Sequence, residues 1–336
     1  MSCSSAFRTL YSWRDNEGSG IFAEPFAVET SQECYIPNIR CERANIQGGE
    51  MRAERITGRV AYHGEGAWWH GGWGGLRFVD MLHGAVLQLT EGGAVSRFPV
   101  GDPIAAMIRP AVDGRALVAL QRAFALFSGG GGLGDESWRT PPVIAMDERF
   151  NEGAVTPEGD LICGTIRDDR RERSASVWRL RQDRTIERLF DGATISNGVG
   201  FTTDGDRMFY VDSRTRRIDV FDWDGDPHDR RSYVTIPDGA GSPDGLCMDA
   251  EDGVWVALYG GAAVHRYDRD GGLTEIVEVD ARQVTSCALG GADGRTLFIT
   301  TSRENLDDGD DPQAGSLFAA EVGIAAAAPR IARIGP

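Results

Sequence analysis

The sequence predicts an all-β fold, a six-bladed β-propeller with four-stranded blades around a central channel. Three observations predict it. A phrase of apolar strand, Asp-Gly or Glu-Gly turn, and second strand recurs six times, its first residues at 65, 106, 151, 197, 244 and 286, in steps of 41 to 47 residues; internal periods of this size mark repeat architectures. The 44 glycines favour many turns over long helices. No segment sustains a 3.6-residue apolar stripe for three turns, so a helical repeat is excluded.

The elements follow in order. EGAWWHGGWGGLRFVD opens the first blade; AMIRPAVDGRALVAL, NEGAVTPEGDLICGTI, NGVGFTTDGDRMFYVD, DGLCMDAEDGVWVAL and SCALGGADGRTLFITT open the next five. Short strands with turn signals at this spacing read as propeller blades. Third strands follow, placing Leu89, Trp178, Val220 and His265, and fourth strands run through segments such as TEIVEV. Residues 55–62 have no blade of their own and are expected to complete the last one, removing the open edge. No linker divides 51–336, which reads as one propeller domain; 1–50 lack any period and are expected to form a poorly ordered extension.

A net charge of −16 and a pI near 4.8 argue against nucleic acid or anionic membrane as partners. All 35 basic residues are arginine, so Schiff-base chemistry and a P-loop lysine are excluded. Cys163, Cys247 and Cys287 lie in apolar stretches without any C-x-x-C pair, as small buried hydrophobes of a reducing compartment. With no run of 18 apolar residues and no signal-peptide pattern, the cytoplasm is the expected location. The run 129–134 fits G-x-G-x-x-G but leads into DESWRTPP and not into a helix, so it reads as a loop.

In a propeller the innermost strands line the channel. Five of the six anchors, Glu65, Ala106, Asn151, Asn197, Asp244 and Ser286, are polar. Glu65 and Asp244 near one axis would repel unless a cation or proton sits between them. With Asn197 they form an all-oxygen set suited to a hard divalent cation; a hydrogen-bonded ring around channel water is the alternative. Arg149 stands two residues before Asn151, so both point the same way along a strand and could serve hydroxyls or a carboxylate; a surface ion pair is the other reading of Arg149. His63 lies two residues before Glu65 and could approach the mouth, though a packed or surface histidine is the favoured reading.

At these same phrases (GEGAWW, RFNEGAVTPEGDLICGTI, SNGVGFTTDGDRMFYVDSRTRRIDVFDWD and SPDGLCMDAEDGVWVALYGGAAVHRYDRDG) the sequence resembles the senescence marker protein 30, gluconolactonase and luciferin-regenerating enzyme family over roughly 60–320. The resemblance implies a metal-dependent lactonase that opens a sugar-acid lactone. It implies one divalent ion (Ca²⁺, Mg²⁺, Mn²⁺ or Zn²⁺) on Glu65, Asn197 and Asp244, with Asp244 as general acid/base and Arg149 and Asn151 on the substrate. A non-catalytic propeller that binds a small molecule, a cation or a protein is the alternative. The chain departs from the family pattern at Glu152 (usually Asp), Ala154 (often Lys), Ala67 (commonly Pro) and Ser196 (frequently Pro). Asp168 or Asp169 falls where relatives carry a lid acid.

Overall fold

The computed structural model describes residues 51–90, 92–129 and 132–335; the expectation for 1–50 lies outside them. Six antiparallel four-stranded sheets form the blades of a propeller, the first five built outward from their first strand in chain order and the sixth completed by an N-terminal strand. The inner strands are Gly64–His70, Ala105–Pro110, Glu148–Val155, Ser196–Phe201, Ser242–Met248 and Val284–Gly290, one for each blade from 1 to 6, and every anchor sits on one of them. Leu89, Trp178, Val220 and His265 fall on third strands, and Leu273–Glu278 is the fourth strand of blade 5.

Inner strands are enclosed on both faces by neighbouring blades, which is why Ala105–Pro110, Ser196–Phe201 and Val284–Gly290 are buried throughout. Outermost strands face water and are correspondingly polar, as in Pro227–Thr235. Aromatic contacts lock blade to blade. Phe124 meets Phe150 at 4.5 Å, and Trp69 stacks on Phe298 at 5.3 Å across the junction of blades 6 and 1. Such pairs add about 0.5–1.5 kcal/mol each beyond area burial.

The ring closes at that junction. Glu54–Arg55 supplies the fourth strand of blade 6, paired with Phe318–Ala319, while Met51–Arg52 adds in parallel to the edge of blade 5. The regular ladder is shorter than the expected 55–62. Beyond Arg55 the Thr57 hydroxyl accepts the Leu317 N–H at 2.9 Å, and the chain then follows the edge by bonds from Val60 and Ala61 to the Gly315 carbonyl. A side-chain acceptor replaces the ladder where a bend begins. The C-terminal segment was not foreseen as a separate device: it straps the face opposite the inner-strand starts, bridging Ala326 to Asp249, Ala332 to Ala111, and Gly335 N–H to the Gln182 carbonyl.

One irregularity recurs in all six blades. The pairing of inner to second strand shifts register at Glu65/Trp68, Ala105/Met107, Phe150/Gly153, Ser196/Val199, Pro243/Leu246 and Val284/Ser286. A bulge bends the strand and re-aims a side chain. Here it lies at or beside each anchor, and four of the six, Glu65, Asn151, Asn197 and Asp244, reach the mouth of the channel.

Candidate functional site

Glycine lets the bulged strands of adjacent blades approach. A Cβ on Gly198 would lie 2.7 Å from the Asp244 carbonyl oxygen and the Leu246 nitrogen, and Gly66, at φ +57°, packs against Met107 Cα. The residues just before these glycines, Asn197 and Glu65, are thereby held against the channel.

A cavity of about 250 Å³ opens at the face where inner strands begin and second strands end. Glu65, Asn197, Asp244, Arg149 and Asn151 all line it. The three candidate metal ligands are each more than nine-tenths buried. Glu65 Oε2 accepts the Gly66 N–H at 3.1 Å, and the Asn197 amide nitrogen donates to Ser213 Oγ at 3.1 Å. Asn197 Oδ1 and Asp244 Oδ1 accept no hydrogen bond among the described residues. A buried acceptor left unmatched costs on the order of 1–3 kcal/mol, and native interiors rarely leave one so. Two such oxygens, one amide and one carboxylate, beside the second carboxylate, Glu65, fit a divalent cation with oxygen ligands.

The electrostatics agree. Burial, and then the charges of Asp244 and Glu152, hold the Glu65 carboxyl well above the usual carboxylate range. Burial, and then Glu152, does the same for Asp244. Both groups therefore ionise reluctantly unless positive charge joins them.

Arg149 and Asn151 form one unit. Arg149 Nη1 donates to Asn151 Oδ1 at 2.5 Å and to the Phe150 carbonyl at 3.2 Å, while Asn151 Nδ2 donates to the Ser196 carbonyl at 2.8 Å. Both ends of the amide are thus engaged by protein. All protein hydrogen bonds of Arg149 are made by Nη1, so Nε and Nη2 have none among the described residues.

His63 is packed, not at the surface, and it also approaches the mouth. It lines the cavity with Nε2 3.8 Å from Glu65 Oε1 and Nδ1 2.7 Å from Ser302 Oγ. Burial and the Arg149 charge lower its pKa to about 3, so it is a neutral imidazole near pH 7. The cavity also draws Arg170, Arg214, Tyr259 and Glu304, none singled out from sequence. All four stand at or just beyond the ends of second strands, a signal available once inner-strand starts are known to share a face with second-strand ends. Asp168 and Asp169 do not line the cavity; Arg170, from the same loop, does.

The departures from the family pattern resolve away from the mouth. Glu152 turns to Arg109, a buried pair at 2.6 Å with both side chains 4% exposed. Arg109 also donates to the Gly153 carbonyl at 2.6 Å and stacks over Trp68, joining blades 1, 2 and 3. Ser196 is buried and its hydroxyl accepts the Tyr210 O–H at 2.9 Å. Ala154 lines a second, largely apolar cavity of about 240 Å³ at the other end, beneath Ala326–Arg330 of the C-terminal strap. Elsewhere, Asp222, His228 and Asp229 bring potential ligand atoms within 4.8 Å of one another on the outer strands of blade 4, but Asp222 is already paired with Arg231.

Residues 63–303 match the family model described as the SMP-30/Gluconolactonase/LRE-like region. Regucalcin of Xenopus laevis is 30% identical over 284 residues, 80% of this chain and 93% of its own length. An L-arabinolactonase of Azospirillum brasilense is 33% identical over 269 residues, 77% of this chain and 88% of its own. In fold, the crystal structure of a calcium-binding protein, regucalcin, from Agrobacterium tumefaciens matches with a TM-score of 0.76 at 23% identity, covering 84% of this chain and 98% of that one. The chain belongs to the SMP-30/gluconolactonase/LRE-like family.

Proposed function

We propose that this chain is a lactonase that opens a sugar-acid lactone at the channel mouth, with a divalent cation (Ca²⁺, Mg²⁺, Mn²⁺ or Zn²⁺) held by Glu65, Asn197 and Asp244. The observation that carries the reading is the pair of buried, unmatched oxygens, Asn197 Oδ1 and Asp244 Oδ1, facing a cavity that also holds Glu65 and Arg149. The 33% identity to an L-arabinolactonase supports the same reaction class.

A divalent cation at this site supplies Lewis-acid polarisation of a carbonyl and lowers the pKa of a water. The chain's own groups do the rest. Asp244 takes a proton from the attacking water as its oxygen bonds to the lactone carbon, then returns a proton to the ring oxygen as the acyl C–O bond breaks. General acid–base help of this kind is worth about 10²–10⁴ in rate. Arg149, fixed by Asn151, turns its remaining N–H groups to the ring hydroxyls or the developing carboxylate. Asn151 thus acts chiefly by orienting Arg149, since its own donor and acceptor are both taken. The free thiols Cys247 and Cys287, 3.8 Å apart and unbonded, fit a reducing compartment such as the cytoplasm.

The solved neighbour described as a calcium-binding protein, regucalcin, supports a second reading, a propeller that holds a cation without turnover. A pH-drop assay over a lactone panel, with chelator and with each cation added back, separates the two. The lactonase reading expects cation-dependent turnover that Asp244→Ala abolishes while circular dichroism stays unchanged. More than a few per cent residual activity in that variant would remove Asp244 from the mechanism, and no turnover of any lactone would favour the binding module.

A further inference from the structure

The mouth cavity is lined by three arginines, Arg149, Arg170 and Arg214, in a chain whose net charge is −16. They reach it from separate places: the inner strand of blade 3, the loop after that blade's second strand, and the turn Ser213–Thr215 in blade 4. With Glu65 and Asp244 given to a cation, Glu304 is the one acid left among the lining residues, and it lies 3.6 Å from Arg170. Arg149 is held by Met81 Sδ, a carbonyl and an amide, with no carboxylate in salt-bridge range among the described residues. Arg214 has no side-chain hydrogen bond or ion pair among the described residues and stands exposed at the rim.

Guanidinium groups only donate hydrogen bonds, whereas sugar hydroxyls both donate and accept. A neutral ring is matched by mixed partners. Three donor-only cations are matched by an acceptor-only anion, which they can hold through forked, charge-assisted bonds. Arg149 alone suffices to orient a neutral lactone; Arg170 and Arg214 are surplus to one.

We infer that the lactone taken at this mouth carries an anionic group, a carboxylate or a phosphate, in addition to the ester that is opened, and that Arg170 and Arg214 recognise it. The inference rests on the lactonase reading and narrows it to acidic sugar lactones.

Three lactones on a common ring test it: a neutral aldonolactone, an aldaric monolactone with a free carboxylate, and a phosphorylated aldonolactone. Each is assayed with the cation-supplemented wild type and with the Arg170→Gln/Arg214→Gln variant. The wild type is expected to favour one anionic lactone over the neutral one by at least about tenfold in kcat/KM, mainly through KM. That ratio should collapse toward unity in the double variant and shrink in high salt. The preferred anionic arm identifies carboxylate or phosphate. A neutral lactone used as well as both anionic ones, or a ratio unchanged in the double variant, overturns the inference. Calorimetric titration with an open-chain aldarate and with a neutral alditol reads recognition without turnover. Arginine-dependent binding of the aldarate with no lactone hydrolysed would sink the lactonase reading and keep the anion site. Hydrolysis without anionic preference would do the reverse, and neither hydrolysis nor aldarate binding would sink both.

Discussion

The buried pair of Arg109 and Glu152 offers the sharpest test of how the site is supported. Glu152→Leu strips Arg109 of its one anionic partner while leaving it enclosed. Two charges about 4 Å apart at an effective dielectric near 20 attract by roughly 4 kcal/mol, and removing one member of a buried pair typically costs about 3–5 kcal/mol. The carbonyls of Ile108, Gly153 and, more distantly, Gly66 still accept from Arg109, at 2.8, 2.6 and 3.4 Å. That places the expected loss near the lower end, about 3 kcal/mol. Replacing both residues with apolar ones, Arg109→Met/Glu152→Leu, should return stability to within roughly 1–2 kcal/mol of wild type, because buried pairs barely recover their desolvation. The assay is guanidinium unfolding followed by tryptophan fluorescence for wild type, both single variants and the double. With a similar loss of about 3 kcal/mol from Arg109→Met alone, a coupling energy of about 4–5 kcal/mol is expected from the cycle. A Glu152→Leu loss under about 1 kcal/mol, or single losses that simply add in the double variant, would refute the claim that this pair rivets three blades together.

Further outcomes follow from the same geometry. Burial, and then nearby acidic charge (Asp244 and Glu152 for Glu65, Glu152 for Asp244), keep Glu65 and Asp244 protonated above the usual carboxylate range, whereas a cation takes only the ionised form. Cation binding should therefore release protons and weaken as pH falls; calorimetry in buffers of different ionisation enthalpy that finds no proton release would contradict this. Gly198→Ala puts a Cβ 2.7 Å from the Asp244 carbonyl and the Leu246 nitrogen, both backbone atoms. It should cost about 1–3 kcal/mol and weaken cation binding, and an unfolding midpoint equal to wild type would show that the blades have slack. Burial lowers the pKa of His265 from its usual 6.5 to about 4. Between those values the unfolded chain takes up a proton that the folded chain refuses, so stability falls as pH drops through this window, by up to about 3 kcal/mol. His63, lowered to about 3, adds to the same slope, so His265→Gln should reduce it without abolishing it, and an unchanged slope would show that His265 does not contribute.

The wheel was legible because its signal repeats. Six phrases at a near-constant step determine blade count, strand order and the anchors at once, and the structure places all six anchors on inner strands. The latch was legible in kind but not in extent, because its pairing depends on the Thr57 hydroxyl replacing a backbone partner, an event of one side chain with no period. Arg109 was hidden for a related reason. It stands three residues after the weakest anchor, Ala106, and nothing in its neighbourhood says that a bulge in blade 3 turns Glu152 sideways to meet it. A contact that exists because two irregular strands lean toward each other leaves no mark on either strand alone.

The wall of the mouth shows where a repeat-based reading can be extended. An inner strand starts on the same face at which the second strand of its blade ends, because the two are antiparallel neighbours. Residues at or just past second-strand ends therefore share that mouth with the anchors, among them Arg170, Arg214, Tyr259 and Glu304. The anchors are held by the close approach of blades and carry the oxygen set. The second-strand ends lead into turns of unequal length, free to vary without disturbing the ring. On the proposed reading cation binding and substrate choice are separated: Glu65, Asn197 and Asp244 answer to the geometry of the hub, whereas Arg170 and Arg214, in turns beyond the second strands, answer to the ligand. Substitutions at Arg170 and Arg214 should accordingly change which lactone is taken before they change whether a cation is held.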